Sequence, residues 1–162
     1  MTRRRAIWVG AIVLAYGALV ALAYAVGPAP QSGCGIGGHG NITLGNGDRG
    51  TFSLLVGGAQ PKGASVYEDL GPRRPMTMRS VDIAALTCTS TRLEATLAGS
   101  GRVTGSGPIT YRVDVVLSNP AAAGADTYRI TISNGYDSGT QPVHASDLTL
   151  VSNGKQLAHR AP

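Results

Sequence analysis

From Asn41 onward the chain alternates apolar and polar residues with a period of two. Ile42 and Leu44 flank Thr43, and Phe52, Leu54 and Val56 alternate with Ser53 and Leu55. Val66 and Tyr67 form a short run, and Met76 and Met78 alternate with Thr77 and Arg79. Leu93, Ala95 and Leu97 stand opposite Arg92, Glu94 and Thr96. Tyr111, Val113, Val115 and Leu117 stand opposite Arg112, Asp114 and Val116, and Tyr128, Ile130 and Ile132 opposite Thr127, Arg129 and Thr131. Val143, Leu148 and Leu150 close the series. This is the pattern of strands with one face on a core and one in water.

Turn chemistry separates the runs. Asn46-Gly47 is a tight-turn signal, and Gly57–Gly63, Gly71–Pro75, Gly99–Gly101, Gly105–Pro108 and Asn134-Gly135 read as breaks. Strands recur without an amphipathic helix between them. The expectation is an all-β domain, an antiparallel meander of about eight strands closing into a barrel or a sandwich. Closure would remove the exposed edges.

The first 26 residues have a different pattern. Arg3-Arg4-Arg5 precedes an uncharged apolar run from Ala6 to Val26. As a helix it would span roughly 30 Å, near the thickness of a bilayer core. Ala23-Tyr24-Ala25 offers small residues for signal cleavage, whereas the length of the run and the placing of Trp8 and Tyr24 suit a retained anchor. Both alternatives put the rest of the chain outside the cytoplasm, secreted or tethered to the membrane through Ala6–Val26. The predicted organisation is a signal peptide or anchor helix at 1–26, a Gly/Pro-rich linker at 27–40, a β domain at 41–152 and a tail at 153–162.

Charge sharpens this picture. The 162 residues carry a formal +5, but Arg3, Arg4 and Arg5 supply three of the 14 basic side chains and no acidic one. The exported part is nearly neutral and has no basic stripe with interleaved aromatics, so the high pI is no argument for nucleic acid. The two cysteines, Cys34 and Cys88, form an even pair in an exported chain and are expected to be disulfide-bonded. Closing that loop is worth about 4 kcal/mol in the chain-entropy model. Free thiols, or lipidation of Cys34, are the alternatives. Neither cysteine has neighbours at zinc-ligand spacing.

A set of landmarks runs through the domain in order: Gly37-Gly38, Gly50-Thr51-Phe52-Ser53-Leu54, Gly63-Ala64-Ser65-Val66-Tyr67-Glu68-Asp69 and Met78-Arg79-Ser80. Ala98-Gly99-Ser100-Gly101, Val103–Gly107, Tyr111–Val115 and Gly124–Ile132 follow. Over about residues 35–151 the chain resembles the post-COAP-type domain of exported bacterial proteins. The resemblance implies a small β fold outside the cytoplasm, and no catalytic residue. Leu54-Leu55 stands where a second aromatic is common in that family, and the cysteine pair is not one of its features.

Candidate chemistry is sparse. Gly35-x-Gly37-x-x-Gly40 matches a dinucleotide-binding string, but that mechanism needs a strand before it and a helix after it. His39, His144 and His159 are the histidines. His144 with Asp147 and a serine would make a hydrolase set, yet no Gly-x-Ser-x-Gly elbow accompanies them. Glu68 and Asp69 are adjacent and should point to opposite faces of a strand. Asp48, Asp69, Asp126 and Asp137 lie near Gly-rich turns, where calcium sites form, but without a recognised spacing. The leading expectation is a non-enzymatic, exported β domain with a binding role and no cofactor. A lipocalin-like carrier of a small apolar ligand and an enzyme of unrecognised type are the alternatives. A filled interior at Phe52, Leu54, Tyr111, Val113 and Ile130 would exclude the carrier.

Overall fold

The computed structural model describes residues 33–73, 75–118 and 124–160, without the side chains of residues 145 and 158–160. The expected leader at 1–26 lies outside the described residues. No helix among the described residues is long and apolar enough to cross a membrane.

The described residues form ten strands: β1 (Cys34–Thr43), β2 (Arg49–Gly57), β3 (Lys62–Asp69), β4 (Met76–Thr89), β5 (Glu94–Val103), β6 (Pro108–Val116), β7 (Thr127–Ile132), β8 (Tyr136–Asp137), β9 (Gln141–Ser152) and β10 (Lys155–Arg160). Each strand from β1 to β8 that pairs with its successor does so antiparallel, as the period of two predicts. β9 lies antiparallel beside β1, from Cys34↔Ser152 to Ile42↔Val143. At its start β9 also meets β7, at Thr127↔Pro142 and Tyr128↔Gln141. That short ladder links β1 to β7 and β9 into a ring of eight strands. β8 and β10 are hairpin additions to β7 and β9.

Alternation places the core. Phe52, Leu54, Tyr111, Val113, Tyr128, Ile130, Leu148 and Leu150 are all buried in one cluster that also holds Ile42, Tyr67 and Met78. Each comes from a position that the pattern of alternation puts on the inner face. Leu55, between Leu54 and Val56, faces out and is 74% exposed.

The boundaries differ from expectation at both ends. The linker expected at 27–40 gives way to strand from Cys34, and the tail expected at 153–162 contains β10. Composition misled at the first site. Gly38 lies at φ +131°, and a Cβ there would overlap the Asp147 carbonyl. A Cβ on Gly40 would press on Val143 and the Phe52 ring. The glycines therefore let β1 run close under its neighbours through the register shift between His39 and Asn41. Gly99 and Gly101, read as a break, sit inside β5. The register shifts of β4, at Ser80/Asp82 and Ile83/Ala85, bring backbone carbonyls of Asp82 and Arg79 against them. The Asn46-Gly47 turn is as expected: Gly47 is at φ +85°, and Leu44 N donates to Asp48 O at 2.8 Å.

The ring is not uniformly laced. β3 pairs with β4 only from Val66↔Arg79 to Asp69↔Met76, while β4 continues to Thr89 against β5. The Cys34–Cys88 disulfide bridges this seam, tying the start of β1 to the far end of β4 with the Cα atoms 5.7 Å apart.

Replacing both cysteines by serine should lower unfolding stability by about 2–5 kcal/mol. Urea denaturation of the double variant against the oxidised parent measures it. An unchanged midpoint would show that the seam holds without the bridge.

Candidate functional site

Among the described residues, a polar site stands where three connections meet: the β1–β2 turn, the segment after β3 and the β7–β8–β9 connection. It is a cleft of about 650 Å³. Asp48, Asp69, Arg73, Tyr136, Asp137 and Gln141 line it among others. It opens at the end of β1 and β2 opposite the point where the chain enters at Gly33–Cys34.

Its floor is built from β3. Tyr67 and Asp69 are two residues apart and share the inner face. Glu68 between them is half-buried on the other side, so the adjacent carboxylates diverge as expected. Asp69 is only 6% exposed. Its Oδ1 accepts from Gly71 N at 2.9 Å, and its Oδ2 accepts from the Tyr136 hydroxyl at 2.9 Å. The Tyr67 and Tyr136 hydroxyl oxygens are 2.6 Å apart. Tyr136 has one proton and gives it to Asp69, so Tyr67 donates to Tyr136. Tyr136 reaches this point because Asn134-Gly135 turns the chain after β7: Gly135 is at φ +89°, and Tyr136 N donates to Asn134 Oδ1 at 3.1 Å.

Behind the floor the aromatic rings continue into the core. Phe52 stacks on Tyr128 with centroids 4.1 Å apart, Tyr128 on Tyr67 at 6.0 Å, and Tyr67 meets Tyr136 at 5.8 Å and 51°. The site is thus the polar end of a column of four rings. Tyr128 is fully buried, and its hydroxyl has no hydrogen-bond partner among the described residues. Burial drives the Tyr128 hydroxyl well above its ordinary range and takes Tyr67 up to about 12. Burial, then the contacts with Tyr67 and Asp69, also raise Tyr136. Burial raises Tyr111.

Two further aspartates form the rim. Asp48 Oδ2 accepts from Asn46 Nδ2 at 2.7 Å, and Asp48 N donates to Asn46 Oδ1 at 3.0 Å. The Asp48 carboxylate lies against Gly71, where a Cβ would overlap it. Gly71 is therefore wedged between Asp48 and Asp69, which locks the two loops together. Asp137 takes a bidentate pair from Arg129, at 3.1 and 2.6 Å, and a hydrogen bond from Gly139 N at 2.8 Å. Those contacts, Arg129 first, hold its carboxyl below the usual range. Gln141 Nε2 donates to Ser138 O at 2.8 Å.

Of the four aspartates considered for calcium, three thus come to this cleft. Asp126 does not line it; it is buried and accepts from Ser118 N and Oγ. Among the described residues no group of three or more His, Cys, Asp or Glu side chains is placed to hold a metal. His39 and His144 are exposed on β1 and β9, away from the cleft lining, and the His159 side chain lies outside what is described. Gly35, Gly37 and Gly40 lie in a strand with a strand after it, so the dinucleotide string lacks its helix. Cys34 and Cys88 are joined. Tyr67 and Tyr136 escaped the sequence analysis as a site. The available signal was the shared strand face of Tyr67 and Asp69; nothing local announced a partner 67 residues away.

Two hydroxyl deletions should separate floor from core. Tyr136→Phe strips a donor from a buried carboxylate and should cost about 1–3 kcal/mol. Tyr128→Phe removes a hydroxyl with no partner and should be neutral or stabilising by urea denaturation. Equal losses would contradict the assignment. A pH series provides a second check. In the unfolded chain the tyrosines ionise near 10.0, whereas the folded domain holds their protons to higher pH. The unfolded state sheds protons first, so stability is full below about 10 and falls as pH climbs through 12. Tyrosinate absorbance from the domain should appear together with loss of β-sheet circular dichroism. Stepwise ionisation in a still-folded domain would overturn this.

Compared with known proteins, the chain matches no family model, no curated protein and no solved structure.

Proposed function

We propose that this chain is an exported, non-enzymatic β domain of the cell envelope or extracellular space, of post-COAP type, that binds a partner through the cleft over Asp69 and Tyr136. The observation that carries the binding role is the set of fixed hydrogen bonds on Asp48, Asp69 and Asp137. Carboxylates restrained in this way present acceptors in set directions, which suits recognition. The export reading rests on the arginine-led apolar run at Ala6–Val26, and the Cys34–Cys88 bond is compatible with an extracytoplasmic location.

We take the eight-strand ring as a flattened barrel. Its β7–β9 contact is short and its β3–β4 pairing opens after Arg79, which favours two facing halves over a round section. The five side chains that discriminate against a carrier all lie in the buried cluster, and this weighs against an apolar ligand inside.

Production of the full-length chain in an exporting bacterial host tests the compartment. Expected is a protein in the membrane or the medium, with Cys34 and Cys88 oxidised. N-terminal sequencing then separates a mature start near Val26 from an intact anchor. A cytoplasmic protein with free thiols would sink the proposal. The binding role is checked by sedimentation with isolated cell envelopes, where the parent should co-sediment and a variant altered in the cleft should not.

A further inference from the structure

Resting on the reading that the domain binds through this cleft, we propose that its ligand is a neutral, polyhydroxylated molecule, a saccharide segment of the envelope or its surroundings.

The charge balance comes first. Asp48, Asp69 and Asp137 face Arg73 in the cleft and Arg129 behind Asp137, so three carboxylates stand against two guanidinium groups. A site for phosphate or another polyanion needs an excess of donors and positive charge, and this one has neither. Nor is it arranged for a cation. A hard cation takes six or more oxygens converging on one point. Here the oxygens are dispersed and already occupied: Asp137 by Arg129 and Gly139, Asp69 by Gly71 and Tyr136, Asp48 by Asn46.

What remains available suits hydroxyl groups. A carboxylate has about four lone-pair positions, so one already bound to a fixed donor keeps directed acceptors for an O–H. Side-chain amides of Asn46 and Gln141 and the Arg73 guanidinium supply both acceptors and donors around the same volume. Sugar hydroxyls donate and accept at once, and this mixture satisfies both roles. Partly buried Tyr136 lines the cleft and offers it an aromatic edge for the C–H groups of a pyranose or furanose ring. Its orientation is fixed beneath by Tyr67 and Asp69, so the platform is set before the ligand arrives. Asp69 is more than nine-tenths buried and still lines the cleft. The cleft's volume of about 650 Å³ is of the size that holds a short oligosaccharide stretch.

The test uses the full-length chain in whichever form the exporting host leaves it, labelled with nitrogen-15. Chitotriose, mannotriose, maltotriose and arabinotriose are titrated separately; calcium chloride, trilysine and sodium phosphate are parallel arms. Expected are saturable amide shifts at Asn46, Gly71, Gly135 and Gly139 with at least one trisaccharide, at micromolar to millimolar Kd. Asp48→Asn, which keeps shape and removes the charge, should weaken that saccharide about tenfold or more. Shifts at these amides with only calcium, trilysine or phosphate would overturn the saccharide assignment, as would silence with every trisaccharide. Envelope sedimentation separates the two levels. If Asp48→Asn abolishes sedimentation while no trisaccharide binds, the cleft is the binding site and the ligand class is wrong. If Asp48→Asn sediments like the parent and no trisaccharide binds, the cleft itself is wrong.

Discussion

The Asp69 carboxylate is the constraint around which one end of this domain is arranged. An isolated buried charge costs several kcal/mol, and the fold accepts one only where donors meet it. Gly71 N supplies one donor from the loop that follows β3, and Tyr136 supplies the other from the β8 hairpin. These elements come from distant parts of the chain and lie on different arcs of the ring. Satisfying Asp69 therefore fixes the β8 hairpin over the mouth of β3. Asp48 then rests on Gly71 and brings the β1–β2 turn into the same assembly. The cleft is what remains between three loops that one buried carboxylate holds in register.

That arrangement depends on the core behind it. The rings of Phe52, Tyr128 and Tyr67 stack from the middle of the ring toward the cleft, and Tyr136 ends the column. Gly40 gives Phe52 its room, since any side chain there would meet the ring. A small residue on β1 thus sets the position of an aromatic on β2, and through stacking helps to set the floor of the cleft. The opposite end is secured by covalent means. β4 leaves β3 after Arg79, and the Cys34–Cys88 bond supplies the restraint that strand pairing no longer gives. In an oxidising compartment that bond persists.

The fold class was legible because a half-buried strand must alternate, and Phe52–Val56, Tyr111–Leu117 and Tyr128–Ile132 alternate cleanly. Tight turns were legible where Asn-Gly demands a positive φ, as at Gly47 and Gly135. Glycine without that context was ambiguous. Gly35–Gly40 and Gly99–Gly101 look like breaks by composition, yet they are strand. Their lack of a side chain serves close approach to Asp147, Val143, Asp82 and Arg79, which are remote in sequence. The cleft was legible only in fragments: Asp48, Asp69 and Asp137 stood out singly, beside turns.

By itself, then, the sequence determined an all-β domain after an arginine-led apolar run, the inner face of most strands, and the cysteine pair. These depend on local periodicity, local charge and a count of two. Only the tertiary structure decided which strand closes the ring, that β8 and β10 exist, and that Tyr136 rather than a basic side chain meets Asp69. The last of these depends on contacts between residues 67 and 69 positions apart. A period of two says which way a side chain points and nothing about what it will find there.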